Sequence, residues 1–368
     1  ADMAGSYLVW LIPGLWGGAL TVALQKYLQV QGRTKEPATA AAIVAVLHAP
    51  LNWVLVYQCG MGFKGAAAAA SLSQMLTPMV LLAIACYCSS DRKCWQGWSC
   101  AAFDWSEMRV FLRLALPGLV MVMEWWASEI AILLAGLSGG HRGTEDQYED
   151  AGTSVAVMSL YQTINSFCFM FAIGFQVSAA TRVGHELGSG NPIAARRAAF
   201  TAAALAAIES CALAVVLLSL QRVVPSWFTG RVDKTARSLA GDVTHTFFLL
   251  AVYVCGDAIS TAFGGAITGA GRQCHSAAVV LVCYFVVALP LAYVVGVRWH
   301  FGFMGIISMM VIGTWAQAGG NALIVLRTDF QKESVAATDR VQWRVVSSKD
   351  GDGDDCRSGE LELGPVEL

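Results

Sequence analysis

The chain has 368 residues, 56% of them hydrophobic and 14% charged, with a formal net charge of -2 and a mean hydropathy of +0.56. Soluble domains carry roughly a quarter charged residues, so this composition excludes an ordinary water-exposed globule, and the near-neutral charge leaves no basic footprint for nucleic acid. The chain holds 11 cysteines but no CxxC pair. Cys86, Cys168, Cys211, Cys255 and Cys283 fall inside apolar stretches, which argues against a zinc site or a disulfide framework; no metal or cofactor is expected.

Nine apolar blocks follow in order, at about 7–28, 38–57, 66–88, 110–137, 151–180, 197–220, 240–268, 276–297 and 303–326. Each is near the roughly 20 residues that span a bilayer, and in lipid a lone segment satisfies its own backbone only as a helix. The expectation is an all-α, polytopic membrane protein with nine transmembrane helices. No secretory signal pattern opens the chain; Ala1 runs directly into the first block. The stretch 328–368 is polar and acidic and is expected to be a disordered cytoplasmic tail. Its run Asp350, Asp352, Asp354 fails as a calcium loop, because Asp355 stands where glycine is needed and Leu361 where the bidentate acid belongs.

Lys and Arg set the orientation. Loops counted alternately from the one after the first block hold 13 basic residues against seven on the other side. The richer side, which includes the C-terminal tail, is cytoplasmic by the positive-inside rule.

An internal repeat is also legible. Gly62-Phe63-Lys64-Gly65 recurs as Gly302-Phe303-Met304-Gly305, Gly32 is matched by Gly271, and Gly17-Gly18-Ala19-Leu20 resembles Gly264-Gly265-Ala266-Ile267, at offsets of 240, 239 and 247. Blocks one to three thus correspond to blocks seven to nine. A six-helix repeat implies a 12-helix, two-lobed parent whose first three helices would precede Ala1. The expected organisation is a partial N-lobe over 1–88, a cytoplasmic interlobe loop over 89–109, a C-lobe over 110–327 and the tail. Transporters built of repeats place their sites near the membrane midplane, at the repeat interface.

Acids in mid-membrane are costly and normally face a cavity or a partner. Glu124 and Glu129 fall in the fourth block and Asp257 in the seventh, with no basic residue at matching depth. A carboxyl stranded in this way can exchange a proton near physiological pH. Glu124 and Glu129 are five residues apart, about 140° around a helix and roughly 7.5 Å along it. They cannot share one ligand, though both could border one broad cavity. Trp125 and Trp126 adjoin Glu124, and an aromatic face beside a carboxylate suits an organic cation. Glu209, in an Ala/Leu-rich block, reads as structural; His48 and His245 read as satisfied core residues.

The run Arg113-Leu-Ala-Leu-Pro117 with Met123-Glu124-Trp125-Trp126-Ala127-Ser128-Glu129 resembles the seventh helix of eukaryotic multidrug and toxic compound extrusion (MATE) proteins. So does Gly174-Phe-Gln-Val-Ser-Ala-Ala-Thr-Arg182-Val-Gly184 with Ala195-Arg196-Arg197, and Gly264-Gly265 through Gly271 is similar to the family's tenth helix. Leu24-Gln25-Lys26-Tyr27-Leu28 with Gln31 resembles the end of its fourth. The resemblance covers about 1–326. It implies helices four to twelve of a proton-driven antiporter, not an enzyme, exporting organic cations, other xenobiotics or metabolites. Its expected partners are a small organic solute, protons and the lipid bilayer, in the plasma or the vacuolar membrane. Glu124, Glu129 and Asp257 fall at the family's acid cluster, Asp257 where glutamate is usual. A further family acid falls near Gln162–Thr163, where nothing ionises. The proton and substrate candidates are therefore Glu124, Glu129, Asp257, Trp125 and Gln162. The rival readings are a lipid or oligosaccharide flippase of the same superfamily, with a basic cavity, a membrane enzyme, and a truncated product that transports nothing.

Overall fold

A computed structural model describes residues 2–88, 104–138, 146–221, 223 and 234–339. The described residues are helical apart from short turns, and nine of the helices are long and apolar enough to cross a membrane. They are α1 (Asp2–Val30), α2 (Lys35–Trp53, continued by the wider turn Val54–Gln58), α3 (Phe63–Cys88), α4 (Trp105–Ser138), α5 (Asp146–Gly188), α6 (Pro192–Leu220), α7 (Lys234–Gly269), α8 (Gln273–Arg298) and α9 (Gly302–Arg327). Each expected block lies inside one of them. Within α8 the wide, i→i+5 bonded turns Leu281–Ala288 and Tyr293–Arg298 flank a short segment carrying Pro290. Proline has no N–H to give the ladder, a recognised cause of local rewinding.

The chain forms two compact units, Ala1–Ala102 and Phe103–Leu368. In the first, Leu28, Ala40 and Leu81 form the core. There α1 and α3 approach so closely that a Cβ on Gly17 would strike the Gln74 carbonyl. In the second, one apolar cluster gathers around Phe247, Tyr284 and Ile306 and another around Val183, Ala199 and Ala262. The second depends on small residues, which let helices approach where water provides no drive to associate. Added carbons on Gly265 and Gly269 would run into the carbonyls of Gln176 and Ala180 on α5.

The repeat is visible in backbone conformation. Gly32, Gly60 and Gly62 have φ of 74°, 65° and 56°, and Gly271, His300 and Gly302 have φ of 73°, 60° and 63°. The turn bonds repeat in step: Arg33 N–H to Leu28 O is matched by Arg272 N–H to Ile267 O, and Cys59 N–H to Val54 O by Trp299 N–H to Val294 O. A left-handed residue with a Cβ costs about 1–2 kcal/mol. Gly302→Ala should therefore lower the protein's unfolding free energy by about that much, read as an earlier thermal midpoint in detergent.

The C-terminal stretch differs from expectation at its start. Residues 330–339 form a tenth helix, α10, with Phe330 and Ser334 buried. Ser334 Oγ donates to Leu187 O at 3.1 Å, and Arg272 Nη1 donates to Thr328 Oγ1 at 3.0 Å. Phe330 in the apolar cluster with Ala337 packed against it, the Ser334 bond and the Arg272–Glu333 ion pair at 3.7 Å together hold a segment that is polar on average. The acidic run at Asp350–Asp354 and the interlobe residues 89–103 lie outside the described residues, as does the His245 side chain.

Candidate functional site

The second unit gathers a polar centre where α4, α5, α7, α8 and α9 meet. Glu124 projects from α4. Its Oε1 accepts from Tyr284 Oη of α8 at 2.9 Å, and its Oε2 accepts from Gln317 Nε2 of α9 at 2.9 Å. Tyr284 Oη is 2.8 Å from Thr314 Oγ1 on α9. Asp257, 4% exposed on α7, accepts from Thr261 Oγ1 at 3.4 Å and lies within interaction range of the Glu124 carboxyl. Among the described residues neither acid makes an ion pair: the ion pairs found join Arg33–Glu36, Arg182–Glu186, Arg272–Glu333 and Lys332–Asp329. Two acids held together without a cation are the arrangement in which charge repulsion favours sharing one proton.

Glu124, Trp125, Gln162 and Asp257 border one small cavity of about 10 Å³, with Ser128, Asn165, Phe169 and Tyr253. Asn165 Oδ1 and Tyr161 Oη are buried without a hydrogen-bond partner among the described residues, polar atoms that a water or a ligand group would satisfy. Trp125 meets Phe169 edge to face at 5.0 Å, whereas Trp126 is 67% exposed. One tryptophan thus walls the site, and the other leaves it.

The structure separates the sequence candidates. Glu124, Asp257, Trp125 and Gln162 come together. Glu129 does not: it is exposed and borders none of the described cavities. A turn and a half further along α4, it faces away from the carboxyl pair. Glu209 sits on α6 near Cys168 and Cys255. His48 is satisfied by Ser73 at 2.8 Å and Asn52 at 3.2 Å. Sequence reasoning missed Tyr284, Thr314 and Gln317. A signal did exist for the last two: Thr314, Gln317 and Asn321 stand three and four residues apart, a polar stripe down one face of an apolar helix.

Tyr284→Phe removes a donor to Glu124 and one of the partners of Thr314 Oγ1. Leaving a buried polar group unpaired costs about 1–3 kcal/mol. The variant should therefore unfold at lower temperature than the parent, and Thr314→Val added to it should recover part of the loss in the same melting assay.

Comparison with known proteins agrees with this architecture. The MatE family model matches residues 147–294. Protein DETOXIFICATION 36 of Arabidopsis thaliana is 31% identical over 357 residues, covering 94% of this chain and 66% of the relative. Protein DETOXIFICATION 17 of the same plant is 29% identical over 361 residues, covering 96% of this chain and 70% of the relative. The chain thus spans about two thirds of the length of the curated relatives it matches. Among solved structures, the eukaryotic MATE transporter AtDTX14 superposes with a TM-score of 0.82 at 29% identity, over 92% of this chain and 72% of that one. A Vibrio cholerae MATE transporter shares the fold with a TM-score of 0.72 at 15% identity, over 88% of this chain and 70% of that one. Those likenesses, with nine apolar helices and a helical repeat, mean that the chain belongs to the MATE family of membrane transporters, in its eukaryotic form.

Proposed function

We propose that this protein exchanges protons for small organic solutes, cations foremost, and that the Glu124–Asp257 pair is the coupling site. The observation carrying this reading is the pair itself: Asp257 buried on α7 and Glu124 part-buried on α4, without a basic partner among the described residues, and Glu124 bonded to a tyrosine and a glutamine. When the pair holds a proton, Tyr284 and Gln317 hold α4, α8 and α9 together. When the proton leaves, the excess negative charge must be met by another cation or by movement of α4. Either event links proton occupancy to conformation, and a solute favouring one state shifts the equilibrium. Trp125 and Phe169 add aromatic faces suited to an organic cation.

The flippase alternative wants a wide basic cavity, and Glu124 is the one charged side chain on the walls of the site's cavities besides Asp257. In reconstituted vesicles, an outward-directed gradient of tetraethylammonium should be discharged faster when an opposing pH gradient is imposed. A sodium gradient of equal size should not accelerate it. Acceleration by sodium alone would sink proton coupling, and indifference to both would sink antiport.

A further inference from the structure

A second cavity begins at Glu124 and runs in one direction only. It encloses about 310 Å³ between α4, α5, α7, α8 and α9. Its polar wall includes Ser260, Thr268, Gln273, Ser276, Gln317 and Asn321, and Glu124 is its one charged residue. Gln273 begins α8, 11 residues before Tyr284, which is roughly 16 Å along a helix and about half the thickness of a bilayer core. Gln273 adjoins Arg272, on the side that the basic residues mark as cytoplasmic.

The wall is hydrogen-bonded yet keeps capacity to spare. Ser276 Oγ donates to Asn321 Oδ1 at 3.0 Å, and Asn321 Nδ2 reaches Ser260 Oγ at 3.2 Å. Gln317 spends its amide on Glu124, and its Oε1 is buried with no partner among the described residues. Gly118 and Gly264 leave space, since carbons added there would meet nothing nearer than 3.8 Å and 3.7 Å. The other side of the carboxyl pair is closed. There Ala131, Met158, Ile307 and Met310, with Ser128, Tyr161, Gln162 and Tyr253, leave a void of only about 10 Å³, room for hardly one water.

We propose that the large cavity is a water-filled passage giving the carboxyl pair access to the Arg272 side of the membrane and, in this conformation, to that side alone. Its ligand is water, and it offers protons a hydrogen-bonded route across half the membrane while Met310 and Ile307 seal the other half. The inference rests on the coupling role given to Glu124, but the passage can be tested without transport.

Thr268→Cys and Met310→Cys place one thiol on either side of the pair. Both proteins, in vesicles, are exposed on both faces to a water-soluble trimethylammonium-ethyl thiosulfonate, and modification is read peptide by peptide by mass spectrometry. Because access governs thiol reaction, the thiol at 268 should react at least about tenfold faster than that at 310. Adding Gly264→Leu should cancel that advantage by filling the passage. Gln273→Cys replaces Thr268→Cys if the latter does not fold, with the same expectation. Equal rates at the two positions, or a faster reaction at 310, would overturn the passage. A labelled passage combined with unaltered pH-driven efflux in Glu124→Gln would leave the passage standing and remove the coupling role instead.

Discussion

Glu124→Gln is expected to abolish pH-driven efflux of tetraethylammonium while leaving the fold intact. Glutamine keeps the shape of the side chain and accepts from Tyr284 Oη as the carboxyl does (2.9 Å). Its amide NH2 then stands where the other oxygen accepted from Gln317 Nε2, and the contact is kept when Gln317 turns its amide to present the otherwise unpartnered Oε1. What the variant cannot do is gain or lose a proton. If coupling runs through that event, the pH gradient has nothing to act on, and efflux should fall to the level of empty vesicles whatever the solute affinity. Asp257→Asn should do the same, since each acid sets the charge its neighbour experiences and coupled groups titrate as a pair. Glu209→Gln, on α6 and outside the polar centre, should retain efflux near that of the parent. Full efflux in Glu124→Gln would take this residue out of the mechanism.

The second large effect is on assembly. Gly265→Val should leave little correctly folded protein, detected as loss of the monodisperse peak in detergent and of its melting transition. The Cβ position already collides with the Gln176 backbone, carbonyl oxygen included, and a backbone atom cannot rotate away as a side chain can. Overpacking a core costs about 1–3 kcal/mol even where side chains give way, so the cost here lies above that range. Gly264→Ala, one residue away but facing the cavity, meets nothing closer than Met121 Cε at 3.7 Å and should fold normally. That adjacent contrast separates a helix contact from a general intolerance of α7.

Much of this is legible in the chain itself. Backbone satisfaction in lipid dictates helices, so nine apolar blocks became nine spans. The repeat was readable because left-handed turns demand glycine, which stands at Gly32, Gly62, Gly271 and Gly302. His300 broke that rule: a non-glycine in the same conformation as Gly60 is invisible to a glycine search. The acids were legible because charge in hydrocarbon is rare, and the sequence put Glu124 first among them, but it could not show that Glu129 stands outside the site. Helix periodicity places the two on different faces without saying which face turns inward; that depends on where α8 and α9 lie. Tyr284 was hidden for the same reason. Tyrosine in an apolar helix is ordinary until a carboxylate is found 2.9 Å away, across 160 residues of chain. The docking of α10 escaped because a polar average conceals the buried Phe330 that helps to anchor it.

Proton release on solute binding tests the central claim most directly. If the Glu124–Asp257 pair yields its proton to make room for an organic cation, binding and deprotonation are reciprocal. Adding tetraethylammonium to purified protein in weakly buffered detergent, at the pH where the pair is protonated, should then acidify the solution by about one proton per cation bound. The Glu124→Gln protein should release none. Binding of the cation with no proton release, or equal release from the two proteins, would contradict the account.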